Sequence, residues 1–181
     1  MKLRGLTSRE RAMTLPSAAS FEQVVLPHLD AAYNLARWLL HDPTLAQDVV
    51  QDASIRALGY FATFRGGDAR AWLLRIVRNT AYDALASRKR ENTTSLDGIT
   101  PELDPPDPAD DPETALSRRQ DLRTLGQALA SLPVELRECL VLRELEEMSY
   151  KQIAQVTGLP IGTVMSRLWR ARQALLPGGP A

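Results

Sequence analysis

The chain has 181 residues, 44% of them hydrophobic, and its 22 basic and 22 acidic side chains cancel. That is enough apolar material for two small globular domains and argues against disorder throughout. No stretch approaches the roughly twenty apolar residues of a membrane helix, and the first residues lack the apolar centre of a secretion signal, so a cytoplasmic protein without membrane insertion is expected.

Residues 1–20 read as a flexible N-terminal arm, with Lys2, Arg4, Arg9 and Arg11 set against Glu10 and no helical period. Met13 competes with Met1 as the translation start. The first domain is expected over 21–90. A helix over 21–40 carries Leu29, Tyr33, Ala36 and Leu40 on one stripe and is broken at Pro27. Asp42 and Pro43 cap the next helix, which buries Ala46, Val50, Ala53 and Ala57 and turns Asp48, Gln51, Asp52 and Ile55 outward. An apolar residue amid acids suits a protein-binding surface, and equally a solvated face with Ile55 tucked against a neighbour. Paired Gly66 and Gly67 mark a loop over 61–68. In the long helix that follows, Ala69, Leu73, Ile76, Thr80 and Ala84 form the core side, and Arg75, Arg78, Tyr82 and Lys89 the opposite one. Basic groups alternating with a ring suit phosphate tracking and base stacking.

Residues 91–112 read as a linker. From Glu91 to Ser117 there are eight acids, no base, and prolines at Pro101, Pro105, Pro106, Pro108 and Pro112. Proline stiffens such a segment and like charge extends it. The second domain is expected over 113–176, opened by Pro112 and Glu113 on a helix carrying Leu116, Leu122, Leu125 and Leu129, with a tail at 177–181. Its end reads as a helix-turn-helix. Ser149 and Gln152 form a capping box, Gly158 supplies the left-handed stop, and Pro160 reopens a helix. On that second helix Val164, Leu168, Ala171 and Leu175 face the core. The outward side holds Ser166, Trp169, Arg170 and Gln173, flanked by Thr163, Met165, Arg167 and Arg172, a set suited to base edges and phosphates.

The single Cys139 has no disulfide partner and is read as core. His28 and His41 have no companions at ligand spacing, so neither metal nor cofactor is expected. No nucleophile with its base and no phosphate loop is present, and Asp48 with Asp52 makes a poor magnesium site, so an enzyme is not expected.

The run from Leu132 to Ala154, continued by Gly162 to Arg172, resembles the C-terminal domain of an extracytoplasmic-function (ECF) sigma factor. Leu35-Ala-Arg with Asp48-Val-Val-Gln-Asp, and then Phe64-Arg-Gly-Gly, Ala71-Trp-Leu, Arg75-Ile and Asn79-Thr-Ala, are similar to the family's N-terminal domain. The resemblance covers Phe21 to Leu176. It implies an all-α fold of two small helical domains joined by an acidic, proline-rich linker, the second ending in the helix-turn-helix. It further implies that Asp48, Gln51, Asp52 and Ile55 contact core RNA polymerase, and that Phe64, Arg65, Gly66, Gly67, Asp68, Arg75, Arg78, Asn79 and Tyr82 hold the downstream, minus-ten promoter element. Pro160, Thr163, Met165, Ser166, Arg167, Trp169, Arg170 and Arg172 would read the upstream, minus-thirty-five element. Many relatives carry an aromatic residue where this chain has Ser54. Promoter DNA, core polymerase and an anti-sigma factor are the expected partners. The alternative is a stand-alone helix-turn-helix regulator, for which the N-terminal half offers no ligand pocket, receiver pattern or dimerising heptads.

Overall fold

The computed structural model describes residues 18–91, 124 and 126–176, and every regular element among them is helical. The expected linker, residues 1–17 of the arm, the tail, and Leu116, Leu122 and Leu125 lie outside the described residues. Helix α1 spans Ala18–Val25, starting within the stretch read as an arm. Pro27 then imposes a short 3₁₀ turn at Leu26–His28 before α2, Leu29–Leu40. Helix α2 stops at His41, whose backbone is left-handed at φ 54° and whose N–H donates to Arg37 O. Asp42 accepts from Leu45 N at 3.0 Å and starts α3, Pro43–Tyr60, with Pro43 in the first turn where its missing N–H costs nothing.

A 3₁₀ turn at Phe61–Thr63 leads through the glycine loop into α4, Ala69–Glu91. Helices α2, α3 and α4 pack mutually, and alanine dominates the contact: Ala32, Ala36, Ala46, Ala53, Ala57, Ala71 and Ala81 are all buried. Short side chains bring the helix axes close, so the larger Leu35, Leu39, Leu73, Leu74 and Val77 interlock between them. The buried line of α2 therefore runs through Ala32, Leu35, Ala36, Leu39 and Leu40, with Leu29 and Tyr33 only partly covered. In α3 it is Val49 that is fully buried, and Val50 is half-buried. Arg56–Asp83 and Arg88–Asp42 ion pairs clip α4 to α3 and to its cap.

In the second half, residues 126–131 form α5, and α6 follows at Val134–Leu140. Helix α6 widens into a π turn over Val141–Leu145. Ser149 and Gln152 make the full capping box of α7, Tyr150–Thr157, and Gly158 closes it at φ 73°. Helix α8, Ile161–Leu175, begins after Pro160, which caps the helix and lies just outside it. Val164, Leu168 and Ala171 of α8 pack on α6 and α7.

The two halves share one continuous core, with α4 lying along α7 and α2 against α6. Arg137 spans the junction. Its buried guanidinium donates to Leu129 O, Ala130 O and Leu132 O at the end of α5, and to Leu39 O near the end of α2. One positive charge thus satisfies orphan carbonyls where two helices end, one in each half. Cys139 is buried, and burial pushes its thiol up to about 11, in keeping with a core role.

Candidate functional site

Three surfaces follow from this packing. The first is the outer side of α3. Asp48, Gln51 and Asp52 are exposed there, and Ile55 is 64% exposed, with Leu58 beside it. Ile55 is not tucked against a neighbour, which removes the solvated-face reading's account of it. Ser54 turns inward, its hydroxyl donating to Val50 O at 2.7 Å.

The second surface is a cleft of about 380 Å³ at the start of α4. Its rim is the loop from Thr63 to Asp68, where Gly66 and Gly67 hold φ 85° and 99°, a conformation that side chains resist. Its floor is aromatic. Phe64 packs on Trp72 with ring centroids 5.0 Å apart and on Phe61 at 6.1 Å, and Phe21 abuts Phe61 edge-on. Arg65 and Arg75 stand exposed at the mouth. Asp68 caps α4 by accepting from Ala71 N at 2.9 Å, and its other oxygen accepts from Gln152 Nε2 at 2.7 Å. Burial works against the Asp68 charge, but these bonds outweigh it and hold the carboxyl below its usual range. Gln155, from the second half, lines one wall.

Farther along α4, Asn79 is exposed while Arg78 and Tyr82 are half-buried, because α6 covers them. The Arg78 guanidinium sits 4.3 Å over the Tyr82 ring and grips Glu138 with Nε at 2.7 Å and Nη2 at 3.2 Å. Burial lowers the affinity of Arg78 for its proton, but Glu138 more than restores it. The side of α4 read as free is in this respect an intramolecular contact.

The third surface is the outward face of α8. Ile161, Met165 and Trp169 form an apolar stripe at steps of four, Trp169 being 64% exposed, with Ser166 and Arg170 alongside. Arg167 is drawn inward to Glu138 at 3.0 Å, and Arg172 pairs with Glu144 at 2.7 Å. The expected residues thus share the helix, but two arginines already have carboxylate partners. Thr163 is half-buried and Pro160 exposed at the helix entrance. Among the described residues no cluster of His, Cys, Asp or Glu could hold a metal, and no helix is long and apolar enough to cross a membrane.

Residues 24–91 match the model of sigma-70 region 2, and residues 122–175 match that of sigma-70, region 4. The chain is 38% identical over 162 residues to the RNA polymerase sigma-H factor of Pseudomonas aeruginosa, covering 86% of this chain and 84% of that one. It is 37% identical over 134 residues to the ECF RNA polymerase sigma-E factor of Escherichia coli K12, covering 71% and 70%. The chain belongs to the ECF sigma factors of the sigma-70 family. It is an alternative sigma factor: it joins core RNA polymerase and directs promoter-specific initiation. The structure agrees. It superposes on the sigma factor RpoE of Bartonella quintana, solved with the anti-sigma factor NepR, with TM-score 0.73 at 30% identity, covering 86% of this chain and 93% of that one. CnrH, solved with the cytosolic domain of CnrY, gives 0.60 at 26%, covering 88% and 86%. In this sigma factor the region 2 match takes in α2–α4 and the region 4 match α5–α8, with α7 and α8 as the helix-turn-helix. The residues that sequence reading passed over are those joining the two regions, Arg70, Arg137, Glu138 and Glu146, together with the second role of Gln152 at Asp68. No local pattern marks these contacts, because across the junction the partners lie 60 or more residues apart in sequence.

Proposed function

We propose that this sigma factor docks on core polymerase through the outer face of α3, with Asp48, Gln51 and Asp52 meeting basic groups and Ile55 an apolar contact. The observation that carries this is the exposure of Ile55 inside an acidic patch, a combination that a solvated helix face does not need. The cleft bounded by Phe64, Arg65, Gly66, Gly67 and Asp68 takes a base of the displaced strand at the minus-ten element. Its aromatic floor suits stacking, and Arg65 and Arg75 at its mouth suit phosphates. Asn79, Arg78 and Tyr82 extend that track along α4. Helix α8 enters the major groove at the minus-thirty-five element, with Pro160, Thr163, Met165, Ser166, Arg167, Trp169, Arg170 and Arg172 toward DNA.

The protein acts in the cytoplasm by positioning polymerase, with no reaction of its own. The two solved relatives are complexes with NepR and with CnrY, and we infer that this chain also answers to an anti-sigma factor. The deciding experiment is transcription in vitro from a pool of promoters. The chain with core polymerase should initiate where neither does alone. Sequence-specific DNA binding with no polymerase-dependent initiation would favour the stand-alone regulator.

A further inference from the structure

The cleft at the start of α4 keeps its polar groups unspent. Arg65 and Arg75 at its mouth are exposed and have no carboxylate partner among the described residues, in contrast to Arg78, Arg167 and Arg172. Gln155, on the wall that α7 contributes, is also exposed, and its amide has no hydrogen-bond partner among the described residues. The acid on the lining, Asp68, is already committed to Ala71 N and Gln152, so two free positive charges face one negative charge that is in use. Phe64 and Trp72 are half-buried and line the space between these groups. At about 380 Å³ the cleft lies within the range of small-molecule sites and holds one nucleotide rather than a length of strand.

We propose that this cleft binds a free adenine nucleotide, with the base on Phe64 and Trp72, the phosphate at Arg65 and Arg75, and the Gln155 amide on the edge of the base. Each group matches by its chemistry. Guanidiniums bond phosphate oxygens in pairs, and these two have nothing else to hold. A two-ring base covers more of the aromatic floor than a pyrimidine does, which favours a purine. The Gln155 amide sets one donor beside one acceptor. Adenine offers the complement of that pair on either side of its amino group, with N7 on one edge and N1 on the other, whereas the N7 edge of guanine shows two acceptors. A displaced base of the minus-ten element needs the same floor, so the nucleotide competes with promoter opening, and initiation acquires a small-molecule input. This rests on the reading of the cleft as a base-binding surface.

The test titrates the full chain with adenosine 5′-monophosphate, followed by calorimetry and by quenching of tryptophan fluorescence, with uridine 5′-monophosphate and inorganic phosphate in parallel. The adenine nucleotide should saturate one site, the uridine nucleotide should bind roughly tenfold more weakly, and phosphate alone should not saturate in the same range. Gln155→Ala, an exposed position in neither promoter-reading set, should unfold in urea as the wild type does and lose roughly tenfold in affinity for the adenine nucleotide. Promoter opening with core polymerase is then read by permanganate reactivity of the minus-ten thymines, with no other nucleotide present. Adenosine 5′-monophosphate should suppress opening by the wild type, and Gln155→Ala should need about tenfold more of it, a difference that nucleotide sites on the polymerase cannot produce. Absence of saturable binding, equal affinity for the uridine nucleotide, unchanged binding in Gln155→Ala, or equal suppression of both chains would each overturn the nucleotide site. A Phe64→Ala chain that opens promoters as well as the wild type would instead overturn the reading of the cleft as a base-binding surface.

Discussion

The side-chain amide of Gln152 donates to Asp68 Oδ2 at 2.7 Å, so the residue that completes the capping box of α7 also touches the residue that caps α4. Two helix N-termini, one in each region, are tied through their caps. Gln152→Ala removes both bonds and is expected to destabilise the protein by about 1 to 2 kcal/mol, the range for a lost cap, measured by urea unfolding. Gln152→Glu keeps an acceptor for the Ser149 N–H but sets a second carboxylate against Asp68. It should retain α7 helicity while increasing hydrogen exchange where α4 meets α7.

Asp48→Arg and Asp52→Arg place positive charge on the α3 face. Both sites are exposed, so stability should change by no more than about 0.5 kcal/mol. Capture of core polymerase in a pull-down should be lost. Retained capture with normal circular dichroism would remove this face from the interface.

His41 sits at the end of α2 with its Nε2 buried and without a hydrogen-bond partner. Burial first, and the Arg137 charge second, lower its pKa from 6.5 to about 4. The unfolded chain therefore binds more protons between those values, and this contribution to stability is complete above pH 6.5 and lost as pH falls toward 4. With allowance for the ring's partial exposure, the loss at pH 5 is on the order of 1 kcal/mol. His41→Asn, which tolerates the left-handed backbone, should flatten the dependence in urea titrations at pH 5 and 7.

On α8, Met165 offers a base only an apolar contact, for instance to a thymine methyl. Met165→Arg should shift the preferred upstream element toward guanine at one position by roughly 1 to 3 kcal/mol, read by selection from random DNA. Arg172→Ala should weaken all sequences alike. Glu144→Gln frees Arg172 from its partner and should steepen the salt dependence of binding by about one unit of slope. An unchanged motif for Met165→Arg would mean that the helix sits rotated in the groove.

Local signals were legible in the sequence. The Asp42 cap, the break at Pro27, the Ser149–Gln152 box and the Gly158 stop each depend on residues a few positions apart, and each forms as read. The residues read as polymerase and promoter contacts fall on α3, on the Thr63–Asp68 loop with α4, and on α8. The exact buried lines were not legible. Of the stripe Leu29, Tyr33, Ala36 and Leu40 read on α2, Ala36 and Leu40 are buried while Leu29 and Tyr33 are only partly covered, and Ala32, Leu35 and Leu39 complete the buried side. Arg78 and Tyr82 read as outward because helical spacing says which residues share a side of α4 and nothing of what covers that side. Nothing near Glu138 in the sequence marks it, and only the folded chain brings Arg78 and Arg167 to it.

The alanine-lined contact of α2, α3 and α4 bears on how this protein can diversify. Ala32, Ala36, Ala53 and Ala57 are fully buried, and enlargement in a well-packed core typically costs about 1 to 3 kcal/mol. The exposed positions on the same helices, such as Asp48, Ile55 and Arg75, carry no such constraint. Exposed positions can therefore change one residue at a time while the alanines keep the frame unchanged, and copies of such a scaffold can diverge in what they bind without being redesigned.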